Sequence, residues 1–243
     1  MENQTLINFL IDLLINVASF IFVYTLYKKY QNCNDHTKPT QISFMIFWSF
    51  IFIYFLIDAI RQIFIIATTN LQLPFHFMLS IPLTLVSLPI VFIIIYIISG
   101  NKYTGIGVSS IFLIFSFFYF YYMIPIDQLN YVTENSILLL NNNVASVIFI
   151  SGLFIVPTSM IFGLLGLILL KRIPTFRKYK ICLSLLSISI VFDFLFLTSI
   201  SQSIEMLIGS KIFVLLGVIL GYFANYPPKL IESKYLVNIP AID

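Results

Sequence analysis

The chain has 243 residues, 60% of them hydrophobic and 9% charged, against about 25% charged in soluble globular domains, so it is built for lipid rather than water as solvent. Its formal net charge of +3 comes from bases in short segments between apolar runs, not from one basic face, which argues against nucleic-acid binding. Two cysteines, Cys33 and Cys182, cannot build a zinc site alone.

Taken in order, the first predicted span is Leu6–Tyr27. No basic stretch precedes it, so it reads as a membrane helix rather than a cleaved signal peptide. Asp12 and Asn16 lie inside it, one turn apart on one face. The loop Lys28–Gln41 carries Lys28, Lys29 and Lys38, and Pro39 marks its end. Span 2 is Ile42–Ile66, where Asp58 and Arg61 are spaced i,i+3 and can pair. The uncharged link Ala67–Phe75 leads to span 3, His76–Ile98. Pro82 and Pro89 predict a kink or local opening there, with Ser80, Thr84 and Ser87 available to satisfy freed carbonyls. His76 reads as an interfacial residue that could titrate near neutral pH.

The link Ser99–Thr104 holds Lys102, and span 4 is Gly105–Ile124, with Tyr119, Tyr121 and Tyr122 fitting an interfacial belt. The outer link Pro125–Asn143 contains NSILLLNNN, read as interfacial or as an extension of span 5. Span 5 is Val144–Leu170, with Pro157 inside it. Then comes KRIPTFRKYK, Lys171–Lys180, with five positive charges in ten residues. Span 6 is Ile181–Ser201 with Asp193 embedded, and span 7 is Leu207–Phe223 with Lys211 near its start. Gly217 and Gly221 form a GxxxG pair, a signal for close helix contact. The organisation is a seven-helix domain over residues 1–224 and a short tail over 225–243, an all-α polytopic membrane protein.

Of thirteen Lys and Arg residues, eleven fall on the side of the Lys171–Lys180 loop and only Arg61 and Lys211 do not. The excess of bases marks the cytoplasmic side, so the N-terminus is expected outside and the C-terminus inside, in a multi-pass protein of the cell membrane. Both cysteines then face the cytoplasm, where a structural disulfide is not expected. Lys171–Lys180 is the expected contact for anionic lipid or an acidic cytoplasmic partner, although the charges could serve topology alone.

With about 1.5 Å rise per residue, Asp12, Asp58, Arg61, Asp193 and Lys211 all lie in the outer half of the membrane. Charges are costly at such depth unless they share a cavity or pair. Two readings follow. In the first, the five residues line an outward-facing, ligand-binding polar pocket with Lys211 at its mouth; Asp58 pairs with Arg61, and Asp12 and Asp193 share Lys211. In the second, the charges are salt bridges that only hold helices together.

No catalytic constellation, metal motif or cofactor signature appears, which argues against an enzyme. Two histidines are too few for the three-histidine zinc sites of ceramidase-like and adiponectin-receptor-like proteins. A retinal protein needs its lysine near the middle of span 7, and Lys211 is too near the outer end. Small sugar transporters of the three-plus-one-plus-three type match in length, but span 1 lacks their proline and no convincing repeat relates spans 1–3 to 5–7.

Phe47-Trp48-Ser49, the proline-bearing span 3, and Tyr96 with Ser99-Gly100 and Tyr103-Thr104-Gly105 resemble the seven-helix N-terminal sensor region of prokaryotic histidine kinases and related signalling proteins. The resemblance implies a sensor-like or receptor-like module. That family usually carries a cytoplasmic output domain, so signalling here would run through a separate signalling or membrane-complex partner. A small-solute or ion transporter and a non-catalytic scaffold or assembly factor are the alternatives.

Overall fold

The computed structural model describes residues 2–33, 37–67, 72–123, 130–134, 137–141, 144–171, 174–201 and 203–227. The tail from 228 onward, Arg172, and the side chains of His76 and Arg177 lie outside the described residues, and so do the expectations placed on them.

Among the described residues, seven helical spans are long and apolar enough to cross a membrane. They are α1 (Glu2–Gln31), α2 (Lys38–Ala67), the pair α3 (Gln72–Leu85) and α4 (Ser87–Ser99), α5 (Lys102–Met123), α6 (Val144–Leu170), α7 (Thr175–Ile200) and α8 (Ile204–Asn225). Consecutive spans pack side by side, and α8 returns to α1 to close the bundle. The α3–α4 span is the most enclosed, 56% buried over its apolar window against 22% for α5, because α4 touches α2, α5 and α6 together.

Most helices extend a few residues beyond the spans expected from sequence, and the differences at α2, α7 and the outer link change the reading. α2 starts at Lys38, so Pro39 sits in its first turn, where a missing N–H costs no helical bond. α7 starts at Thr175, with Pro174 extended before it (φ −51°, ψ 134°), so half of the basic stretch is helix rather than loop. The outer link holds an antiparallel hairpin, β1 (Asn130–Glu134) with β2 (Ile137–Asn141), in which Val132 faces Leu139. The apolar Ile137–Leu140 run is therefore strand rather than an extension of α6.

The break between α3 and α4 falls at Val86, between the two prolines. Hydroxyls supply hydrogen bonds around it. Thr84 Oγ1 donates to the Ser80 carbonyl at 2.9 Å, and Ser87 Oγ donates to the Thr84 carbonyl at 3.0 Å. α4 ends at Gly100, whose φ of +68° is the left-handed cap that glycine adopts without penalty. Asn101 then accepts from the Tyr103 amide at 2.9 Å and starts α5. At Gly105 a Cβ would lie 3.0 Å from the Phe92 ring, so any other residue there requires the ring to give by a few tenths of an ångström.

The surface pattern is that of a lipid-facing bundle. On α1, Leu6, Leu10, Leu13, Leu14, Val17 and Phe20 are exposed, while Asn8, Asp12, Asn16 and Ser19 are buried. The apolar side faces out and polar groups face in, as expected where the surrounding solvent is hydrocarbon. Of the tyrosines expected at an aromatic belt, Tyr121 is 70% exposed, but Tyr119 is only 2% exposed and belongs to the core.

Candidate functional site

Three helices bring four charged side chains to one place. Asp12 comes from α1, Asp58 and Arg61 from α2, and Lys211 from α8. None is more than 7% exposed. Lys211 is the centre. Its Nζ donates to Asp12 Oδ2 at 2.8 Å and to Asp58 Oδ2 at 2.7 Å. Arg61 Nη2 holds the other Asp58 oxygen at 2.6 Å. Gln62, one residue along α2, donates its amide to the same Asp12 oxygen that Lys211 holds.

The four formal charges sum to zero, which is what makes their burial tolerable. α8 presents Lys211 on its enclosed face, with Ser210 and Val214 also buried, and the preceding turn starts at a Ser203 cap that accepts from the Met206 amide. On α1 the i, i+4, i+8 spacing of Asn8, Asp12 and Asn16 puts all three on the buried side.

Around this cluster, polar atoms outnumber their partners. Among the described residues, both side-chain polar atoms of Asn8 and of Asn16 are buried without a hydrogen bond, as are Asp12 Oδ1, Gln62 Oε1 and Arg61 Nε. Buried polar groups ordinarily find partners. Seven unpaired atoms beside one ionic cluster are unused capacity for water or a small polar molecule.

A packed apolar layer also belongs to α1, α2 and α8. Ile15, Phe22, Trp48, Ile51, Phe55 and Val218 are at most 1% exposed. The Phe22 and Trp48 rings meet at 4.8 Å, and Phe47 closes on Trp48 at 5.0 Å. Trp48 and Phe47 thus have a packing role, whatever else the motif around them resembles.

The expected site is corrected in two respects. Lys211 is not a mouth residue but the most central base, at 1% exposed, and it bonds to Asp12 and Asp58 rather than to Asp12 and Asp193. Asp193 is half-buried between α6 and α7. It accepts from Thr158 Oγ1 at 2.7 Å and from Ser189 Oγ at 3.2 Å, and no base bonds to it among the described residues. Of the three acids expected at the site, Asp193 is therefore the one without a basic partner among the described residues.

Sequence reasoning missed Gln62, Asn8, Thr158 and Ser189. Amides and hydroxyls inside a span are cheaper than charges, so they draw less attention. The four-residue spacing from Asn8 to Asp12 was the available signal.

A cavity of about 570 Å³ lies at the end of the bundle that carries Lys29, Lys171 and Lys180. Its walls come from α1, α2, α4, α6, α7 and α8, and none of the five expected site residues lines it. Among the described residues no cluster of three or more His, Cys, Asp or Glu could hold a metal ion.

No family model matches the chain, and neither a curated protein nor a solved structure is significantly similar to it.

Proposed function

We propose that this protein is a sensor-like or receptor-like membrane module whose responsive element is the polar layer around Lys211. The observation that carries the reading is the set of unpaired atoms on Asn8, Asp12, Asn16, Arg61 and Gln62, next to charges that already balance one another. Salt bridges serving packing alone need no such surplus. A small polar ligand entering the layer would compete for Asp12 and Lys211 and so alter how α8 sits against α1 and α2.

The apolar layer of Phe22, Trp48, Phe55 and Val218 supports sensing over transport, because it offers a solute no polar path along these three helices. With the orientation expected from the distribution of bases, the polar layer would lie toward the outside, which supports the same reading. The resemblance to sensor regions of histidine kinases points the same way. A transporter is the second reading, favoured by Asp193, a half-buried carboxylate without a basic partner among the described residues.

Cysteine accessibility tests the proposal in a background where Cys33 and Cys182 are serine. Asn8→Cys should react with a membrane-impermeant thiol reagent added outside, and Val218→Cys should not react from either side. An inert Asn8→Cys would leave only the packing role for the cluster. Reactivity of Asn8→Cys from both sides would replace the sensor with the transporter.

A further inference from the structure

We infer that the cavity at the basic end binds one anionic phospholipid of the adjoining leaflet, with its phosphate between Lys29, Lys171 and Lys180 and an acyl chain along the apolar wall. The site is separate from the ionic cluster and does not depend on the sensor reading.

The cavity's polar and apolar parts are segregated as in an amphiphile. Lys29 enters from α1, Lys171 from the end of α6 and Lys180 from α7, and the described lining residues include no Asp or Glu. Three ammonium groups around one space attract an anion. Lys29 Nζ donates to Asn225 Oδ1 at 3.1 Å, which uses one of its three N–H bonds and fixes the group at the cavity edge. Gln41, also in the lining, has a buried Nε2 with no acceptor. A phosphate oxygen would supply one.

The opposite wall is hydrocarbon, including Phe44, Ile93, Leu164 and Ile168. It continues onto the outer face of the bundle, where Ile97, Ile98 and Leu167 line the cavity and are 47%, 59% and 51% exposed. A free phosphate would have no use for that continuity, whereas an acyl chain can lie along it and leave through the same opening into the bilayer. The volume, about 570 Å³, is within the range of roughly 300–1,000 Å³ usual for small-molecule sites and holds part of a lipid rather than all of it.

The basic stretch is therefore divided among tasks. Lys178 Nζ donates to the Leu169 carbonyl at 2.5 Å and caps α6, while Lys171 and Lys180 border the cavity. Charge count alone does not make this distinction.

Native mass spectrometry of the full chain in detergent, titrated with phosphatidylglycerol or phosphatidylcholine of identical acyl chains, tests the site. One phosphatidylglycerol should bind per chain, more tightly than phosphatidylcholine, and equimolar inorganic phosphate should not displace it. Lys29→Gln combined with Lys171→Gln should weaken phosphatidylglycerol on the order of 30-fold, taking each near-surface base at its usual contribution. Lys28→Gln combined with Lys102→Gln removes the same charge outside the cavity and should change little. Equal affinity of the parent chain for the two lipids would overturn the proposal even if the variants failed to fold. Displacement by inorganic phosphate would replace the lipid with a soluble anion. Equal losses in the two double variants would reduce the effect to general surface charge.

Discussion

Replacing Lys211 with methionine keeps the unbranched apolar stem of the side chain, one atom shorter, and removes its charge. Among the described residues this takes away the only base that touches Asp12, at 2.8 Å, and one of two that touch Asp58. Asp58 keeps Arg61, but Asp12 is left with the Gln62 amide in a place that is 0% exposed. Breaking a buried pair by removing one partner costs about 3–5 kcal/mol. For a domain of this size that corresponds to a fall in melting temperature of roughly 6–20 °C. Charge balance then predicts a rescue. Asp12→Asn in the Lys211→Met background leaves Asp58 with Arg61 as a neutral pair and should recover most of the loss. The single tryptophan, Trp48, is fully buried and close to the cluster in sequence, so its fluorescence in detergent follows unfolding without added dye. Lys211→Met melting with the parent protein would refute the argument, as would a double variant no more stable than the single one.

Other outcomes follow from neighbouring features. Gly217→Ala and Gly221→Ala should each cost about 1–3 kcal/mol, because the new Cβ atoms would lie 2.5 Å from Val191 and 2.6 Å from Ser187; Gly163→Ala, with open space around it, should be neutral or gain up to about 1 kcal/mol in the same melts. Asp193→Asn retains an acceptor for Thr158 or Ser189 and strands no base, so it should cost less than about 1.5 kcal/mol in thermal melts, well below Lys211→Met. In the serine-substituted background, Asn130→Cys should label from outside intact cells and Thr175→Cys should not; the reverse pattern would invert the orientation that the basic residues predict.

The spans were legible because lipid imposes long apolar runs, and the charges within them stood out for the same reason. Shared depth singled out Asp12, Asp58, Arg61 and Lys211 together, and in the structure their side chains meet in one ionic cluster. Depth does not give rotation, however. Which carboxylate Lys211 reaches depends on how α1, α2 and α8 turn toward one another, so Asp193, at similar depth on α7, was paired wrongly. The two glycines of α8 were visible as a pattern, but the fit of Gly217 against Val191 on α7 is a tertiary fact. The same holds for Tyr119, whose sequence neighbours fit a belt while its own side chain turns inward. The hairpin eluded the reading because an apolar run flanked by asparagines suits strand, helix or interface equally well by composition.

The cluster also has an order of arrival. Asp12 is synthesised 199 residues before Lys211, a delay of roughly 10–40 s at ordinary elongation rates. During that interval Arg61 and Gln62 are the only cluster members available to the two carboxylates. The first helix pair is therefore assembled with one negative charge in excess, and α8 supplies the missing positive charge when it enters the bilayer. Neutrality of the cluster thus becomes a property of the finished chain, and a product stopped before Lys211 carries that excess as a mark of incompleteness.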